Sequence, residues 1–375
     1  MTGMKKCRRS FCLYRAVAAA SSSLLLLFMA VAAFAVTAEA GSSSPDYNVI
    51  MELRKSIGLT SDADCNYTKI PCDCGAEGSG LLDVRCDLEG RGRVTYLTFQ
   101  GASGGSLPAS LEALPELSIF EAPGKNLHGA IPNFGEAIWE ISLNDNHFTE
   151  IVPQKLFESK PQLSMFVLSN NPSLNKWAIP DALKGSPKLD YFSADGCNME
   201  GPFPDIFNPV NFPLLRVLTL SSNSLTGSIP ESIAELTQLQ TLDVSNNQLT
   251  GSVPDSTIAN LISLWHLNLA NNQLTGPIPS ALAGLDQLEQ IDLSNNQFTG
   301  SIPQNIASLT NLTHLRLSNN QLTGDIPQNL ASLPQLDLID LSNNQFTGTV
   351  PNFPSTVTVI TCGNVDLSEG KGGSC

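Results

Sequence analysis

The residues of this chain that could do chemistry are few and scattered. The four histidines, His128, His147, His266 and His314, fall in different segments, although His266 and His314 occupy equivalent places in two similar stretches. Paired imidazoles at equivalent places suggest a divalent metal, yet places two β-strands apart are separated by roughly 10 Å, too far for one ion. Surface histidines and no metal are therefore expected. There is no G-x-x-x-x-G-K-[ST] phosphate loop, no H-E-x-x-H, no kinase signature and no EF-hand loop. Gly75 to Gly80 is glycine-rich but lies among cysteines and precedes no helix, so it fails as a phosphate cradle. The expectation is a chain without catalytic residues and without a cofactor.

Cysteines and charge place the chain in a compartment. Lys5, Lys6, Arg8, Arg9 and Arg15 precede an uncharged stretch from Ala16 to Ala38, and Ala38-Glu39-Ala40 offers small residues for cleavage before Gly41. Residues 1–40 are therefore expected to be a signal peptide, with a membrane signal anchor as the rival. Removing five basic groups and one acid takes the formal charge from −15 to −19, which repels nucleic acid and anionic lipid. Seven cysteines remain. Cys65, Cys72, Cys74 and Cys86 crowd near the start, Cys362 and Cys375 lie at the end, and Cys197 stands alone. The six terminal ones are disulfide candidates of a secreted chain, with connectivity open. Asn66 and Asn311 head N-x-[ST] glycosylation sequons, whereas the Asn171 sequon is blocked by Pro172.

These scattered residues are positioned by a repeat. From Leu285 the spacing Leu285, Leu288, Ile291, Leu293, Asn296, Phe298, Gly300, Ile302, Pro303 recurs from Leu309, and again from Leu236, Leu261 and Leu333. Degraded units start at Arg91, Leu114, Gly135, Lys160, Ser186 and Phe212, giving eleven. Such a period denotes a solenoid in which each unit buries its apolar edge only against its neighbours. The leucine pair reads as a short strand, and eleven strands in parallel make a concave sheet about 50 Å long. A turn asparagine (Asn146, Asn171, Asn223, Asn247, Asn272, Asn296, Asn320, Asn344) is expected to satisfy the backbone of adjoining turns, with Cys197 as a buried substitute in that ladder. The domains expected are a cap with a short helix and the cysteine cluster at 41–90, repeats at 91–353, and a C-terminal cap with a flexible tail at 354–375. Val49, Leu53 and Ile57 behind Pro45-Asp46 mark the helix.

The strand register yields two outward columns. One runs Tyr96, Ile119, Glu140, Met165, Tyr191, Val217, Thr241, His266, Gln290, His314, Leu338; the other Thr98, Glu121, Ser142, Val167, Ser193, Thr219, Asp243, Asn268, Asp292, Arg316, Asp340. Large amphipathic side chains on a rigid sheet make good anchors. Trp139, Met165, Tyr191, Trp265 and His266, with the charged Asp243, Asp292 and Arg316, are the candidate partner-binding residues.

The template L-x-x-L-x-x-L-x-L-x-x-N-x-L-x-G-x-I-P resembles the plant-type leucine-rich repeat, which implies an α/β repeat solenoid, a right-handed superhelix with a parallel concave sheet and a disulfide-closed N-terminal cap. Leu114 to about Ser232 is similar to the first repeat block of the plant transmembrane-kinase-type receptor kinases associated with cell-surface auxin signalling. Asn170-Asn171-Pro172, Trp177-Ala178-Ile179-Pro180, Phe192-Ser193-Ala194 and Phe212-Pro213-Leu214-Leu215 carry that likeness. The sequence reaches Cys375 without the family's cysteine-bearing island, transmembrane helix or kinase, and Tyr67 replaces the usual cap tryptophan. The resemblance implies a truncated or soluble relative of a receptor ectodomain, in the apoplast or at the outer cell surface. Its expected partner is an extracellular protein or peptide, or a receptor kinase acting as co-receptor. The alternative is a secreted inhibitor of a cell-wall enzyme, similar to polygalacturonase-inhibiting proteins.

Overall fold

The computed structural model describes residues 44, 46–59, 82–89, 91–101 and 104–368, together with the backbone of 373–374. They belong to one compact unit, Ser43–Cys375. The signal peptide, Cys65, Cys72, Cys74, Cys375 and Asn66 lie outside the described residues.

Fourteen strands line the concave face in chain order. They are β1 Leu82–Cys86, β2 Val94–Phe99, β3 Ile119–Glu121, β4 Glu140–Ser142, β5 Met165–Val167, β6 Tyr191–Ser193, β7 Val217–Thr219, β8 Thr241–Asp243, β9 His266–Asn268, β10 Gln290–Asp292, β11 His314–Arg316, β12 Leu338–Asp340, β13 Thr358–Ile360 and β14 Gly373–Ser374. The cap strand β1 runs antiparallel to β2, and the other pairs are parallel. Three residues suffice per strand because each unit contributes one inward side chain, such as Leu242 or Leu267, between two outward ones. In the irregular half phenylalanine takes over the core. Phe157, Phe166, Phe192, Phe207 and Phe212 form a continuous spine, with Phe166 stacked on Phe192 at 5.4 Å.

The asparagine ladder forms as expected. Asn272 Nδ2 donates to the carbonyls of Val244, Leu269 and Ala270 at 3.0, 3.1 and 3.2 Å, and its Oδ1 accepts the Leu249 N–H at 3.0 Å. The residue before each ladder position takes positive φ, including Asp145, Asn170, Ser222, Asn246, Asn271 and Asn295, which accounts for the doubled asparagine. Asparagine tolerates the left-handed conformation better than most residues. The convex return is made of short 3-10 segments such as Glu231–Glu235 and Gln304–Ser308, one α-turn at Asp255–Ile258, and a second parallel sheet from Thr250–Ser252 to Asp366–Ser368.

At the C-terminal end Asp366–Ser368 pairs with Gln345–Thr349 and β14 pairs with β13. The reason is a further ladder residue: Asn364 Nδ2 donates to Leu341 O and Thr361 O at 3.0 and 2.8 Å, and its Oδ1 accepts Phe346 N–H, so the repeat runs one turn past the eleventh unit. Cys362, a disulfide candidate, is a free thiol. It sits in that turn two residues before Asn364, where earlier units carry serine, and its carbonyl accepts the Asn343 N–H at 2.7 Å. Cys86 is disulfide-bonded.

At the front, the expected helix spans Tyr47–Ser56 and buries Val49, Ile50 and Leu53 over the first repeat. Asp46, at its start, makes no capping bond. Its carboxylate instead accepts from Arg93 Nη1 and from the Val94 N–H, both at 2.8 Å, fastening the helix to β2.

Candidate functional site

The site is the concave face, and parallel register builds it. Tyr191 pairs with Val217, Val217 with Thr241, Thr241 with His266, His266 with Gln290 and Gln290 with His314, so both outward columns form residue by residue as the sequence predicts. His266 and His314 stand two strands apart with Gln290 between them. Among the described residues no group of three or more potential metal ligands comes together.

The face divides into three stretches. In the first, polar side chains form a chain across β1 to β4. Arg85 bonds Asp83 at 2.8 Å and lies 4.5 Å over the Tyr96 ring, and the Tyr96 hydroxyl donates to Glu121 Oε2 at 3.0 Å. Glu140 is half-buried on β4; burial first, then the Glu121 charge, push its carboxyl up to about 7. Burial and Glu121 likewise raise the Tyr96 phenol to about 12.

The second stretch holds three of the candidates. Trp139, one place ahead of β4, is 40% exposed. Met165 and Tyr191 are half-buried on β5 and β6. Burial raises the Tyr191 phenol to about 12, which fits a ring that packs as well as presents. Beside it Asp195 gathers the hydroxyls of Ser169, Ser193 and Thr219 and the Ser221 N–H at 3.1, 3.2, 2.8 and 2.6 Å. Sequence reasoning passed over this cluster. Its signal is an aspartate two residues past the strand, where other units carry serine.

The third stretch is the regular half. Asp243 and Asp292 each accept both the N–H and the hydroxyl of the serine two residues on, at 3.0 and 2.7 Å for Ser245 and 3.0 and 2.6 Å for Ser294. Asp243 Oδ2 also accepts from Asn268, and burial raises its pKa above the ordinary aspartate value. Much of the expected acidic column is thus engaged in holding its own turns. His266 packs against Trp265 with centroids 5.9 Å apart and meets Gln290 Oε1 at 3.2 Å; burial lowers its pKa. Arg316 forms no ion pair among the described residues. Asn311 is exposed, with its amide on the Asp286 carbonyl at 2.8 Å. No helix among the described residues is long and apolar enough to cross a membrane.

Known proteins bear the same signature. Leucine-rich-repeat family models match residues 207–249, 250–298 and 310–355. The receptor-like kinase TMK2 of Arabidopsis thaliana is 33% identical over 196 residues, 52% of this chain and 21% of the relative. Among solved structures, that of PEPR1 with AtPEP1 aligns with a TM-score of 0.70 at 26% identity, over 86% of this chain and 48% of that one. The Arabidopsis receptor kinase HAESA, solved with the peptide hormone IDA and the co-receptor SERK1, aligns at 0.55 and 27%, over 74% and 58%. The chain spans about a fifth of the length of the curated relatives it matches. Its repeats, its sheet and these matches make it a plant-type leucine-rich-repeat solenoid, homologous over about half its length to plant receptor-like kinases.

Proposed function

We propose that this chain is a non-catalytic, extracellular recognition module that binds a peptide or protein on its concave face in cell-surface receptor signalling. The observation that carries the reading is Trp139, an indole exposed on an otherwise half-buried rigid sheet, beside units whose outward residues depart most from the repeat consensus. Exposed aromatics on rigid scaffolds are where binding energy concentrates. Homology to receptor kinases supports it, as do structural neighbours solved with AtPEP1 and, for HAESA, with the peptide hormone IDA and the co-receptor SERK1. Secretion to the apoplast or outer cell surface, the cap disulfides and a glycan on Asn311 belong to the same proposal.

Affinity capture from a plant wall extract with residues 41–375 tests it. Trp139→Ala is expected to weaken the captured partner about thirtyfold, the loss that accompanies roughly 2 kcal/mol. Unchanged capture by that variant would overturn the placement. One observation favours inhibition of a basic wall enzyme as the second reading: Asp292 and Asp340 on the concave face each use one carboxylate oxygen on a neighbouring serine, and the other oxygen has no protein donor among the described residues. Under that reading Asp292→Ala abolishes capture and Trp139→Ala does not.

A further inference from the structure

We propose, resting on the concave-face recognition set out above, that Trp139 and Trp265 are the two ends of one docking track for an extended peptide with two apolar side chains about six to eight residues apart and a basic residue just beyond the one that meets Trp265. The chain has three tryptophans. Trp177 is a core residue, 4% exposed, whose Nε1 donates to Cys197 O at 2.8 Å. The other two share a third column along the flank of the concave sheet, one residue ahead of each strand. That column runs Trp139, Ser164, Asp190, Arg216, Gln240, Trp265, and from Ser164 onward each N–H donates to the carbonyl of the residue before it at 2.8–3.0 Å. An unbroken backbone ladder thus joins one indole to the other through units of unequal length. Five strand spacings of about 4.8 Å put the two positions roughly 24 Å apart. An extended chain advances about 3.3 Å per residue, so roughly seven residues cover the span, and separations of about six or eight keep both side chains toward the sheet.

What lies between and beyond the indoles gives the ligand its chemistry. Trp139 is exposed and Trp265 is half-buried, so both keep ring surface open to solvent. Between them the column carries no large apolar side chain, and its one ion pair is closed on itself, because Arg216 holds the Asp190 carboxylate through Nε and Nη2. The middle of the track is therefore polar without net charge. Past Trp265 the balance changes. Half-buried Glu289 is the next rung, its N–H on Trp265 O at 2.9 Å, and exposed Asp337 lies two rungs further. Neither carboxylate forms an ion pair among the described residues. Ahead of Trp139 the column holds Ser118 and Thr95 instead. A track apolar at two points and acidic past only one of them orients its ligand, with the basic end toward Glu289 and Asp337. A single extended segment supplies that spacing from its own backbone, which favours a peptide over a folded surface as the occupant.

The test is selection from a display library of random peptides, about sixteen residues long, against the full chain. Enriched sequences are expected to carry two aromatic or branched apolar residues about six to eight apart, with Lys or Arg within about four residues on one side only. Synthetic copies are expected to bind about thirtyfold more weakly to Trp139→Ala and to Trp265→Ala, with urea unfolding of both variants unchanged. Glu289→Lys leaves both indoles in place, and reselection against it is expected to exchange the basic residue for Asp or Glu. Should Trp265→Ala also lose stability, that reselection decides, and an unaltered preference for Lys or Arg overturns the track. Peptides that need Trp139 but bind Trp265→Ala normally overturn the track and leave concave-face recognition standing. Peptides indifferent to both indoles overturn both. A library that yields no binder overturns the track as well, since the occupant is then a folded partner.

Discussion

The side-chain oxygen of Asn223 accepts the backbone N–H of Cys197 at 3.0 Å, tying the unit that lacks a ladder asparagine to the next one. Cys197 itself keeps only part of the asparagine's role: its thiol donates to Leu168 O at 3.2 Å, but it offers no amide oxygen. In the preceding unit the residue that would use that oxygen is Ser173, which is exposed and follows Pro172. The gap in the ladder therefore faces a turn that water can satisfy. The irregular Asn-Pro-Ser turn and the cysteine compensate for each other.

That environment makes thiol chemistry selective. Burial pushes the Cys197 thiol up to about 12, and the residue is fully buried. The thiolate is the reactive species, so iodoacetamide at pH 8 is expected to modify half-exposed Cys362 in the native chain and to reach Cys197 only after denaturation. Peptide mapping by mass spectrometry reads the result. Native labelling of Cys197, or none of Cys362, contradicts the placement.

Removing one ladder side chain should cost more than its size suggests. Asn272→Ala strands the buried Leu249 N–H and takes one of two donors from the Val244 carbonyl, which keeps Asn247 Nδ2. An orphaned buried group costs about 1–3 kcal/mol, so a loss of about 2 kcal/mol in urea unfolding is expected. A loss below about 1 kcal/mol would mean that water replaces the amide.

The repeat made most of the fold legible, because strand period, core leucines and ladder asparagines are each local patterns with one packed solution. Both concave columns followed from that register alone. What stayed hidden depended on contacts that no period encodes. Asp46 reads as the start of a helix, yet its carboxylate serves Val94, far along the chain. Asn364 lies outside the template because Gly363 and Cys362 replace the usual residues, so the last turn looked like a tail. Phe166 and Phe192 read as core, but their stacking into a spine required the packing itself. At the site, the register placed Glu121 and Glu140 on one face, while the burial that raises the Glu140 carboxyl required the packing itself.

Stability should respond to pH through Glu140. Its folded pKa of about 7 lies above the ordinary glutamate value of 4.5, so its contribution is fully present below pH 4.5 and is lost as pH rises through 7. Allowing for solvent at the open face, wild type is expected to lose up to about 2 kcal/mol across that window relative to Glu140→Gln. Paired urea titrations at pH 4.5, 6 and 8 measure the difference. Parallel pH profiles for the two chains would exclude the assignment.

The N-terminal cap should detach without unravelling the rest. Asp46 is buried, and its carboxylate holds Arg93 Nη1 and the Val94 N–H at 2.8 Å each. Without the carboxylate the partly exposed Arg93 charge is taken up by water, but the buried Val94 N–H loses its acceptor at a cost of about 1–3 kcal/mol, so Asp46→Ala is expected to release the helix Tyr47–Ser56 from the first repeat. Units of a solenoid contact only their neighbours, and the loss should therefore stay local. Hydrogen exchange is the discriminating measurement. Amides of Tyr47–Ser56 and β2 should lose protection in the variant, while the amides of β8 to β11 keep theirs. Asp46→Asn retains an acceptor for Val94 and should fall between the two. Uniform loss of protection along all strands would mean instead that the solenoid unfolds as one cooperative unit from its N-terminal end.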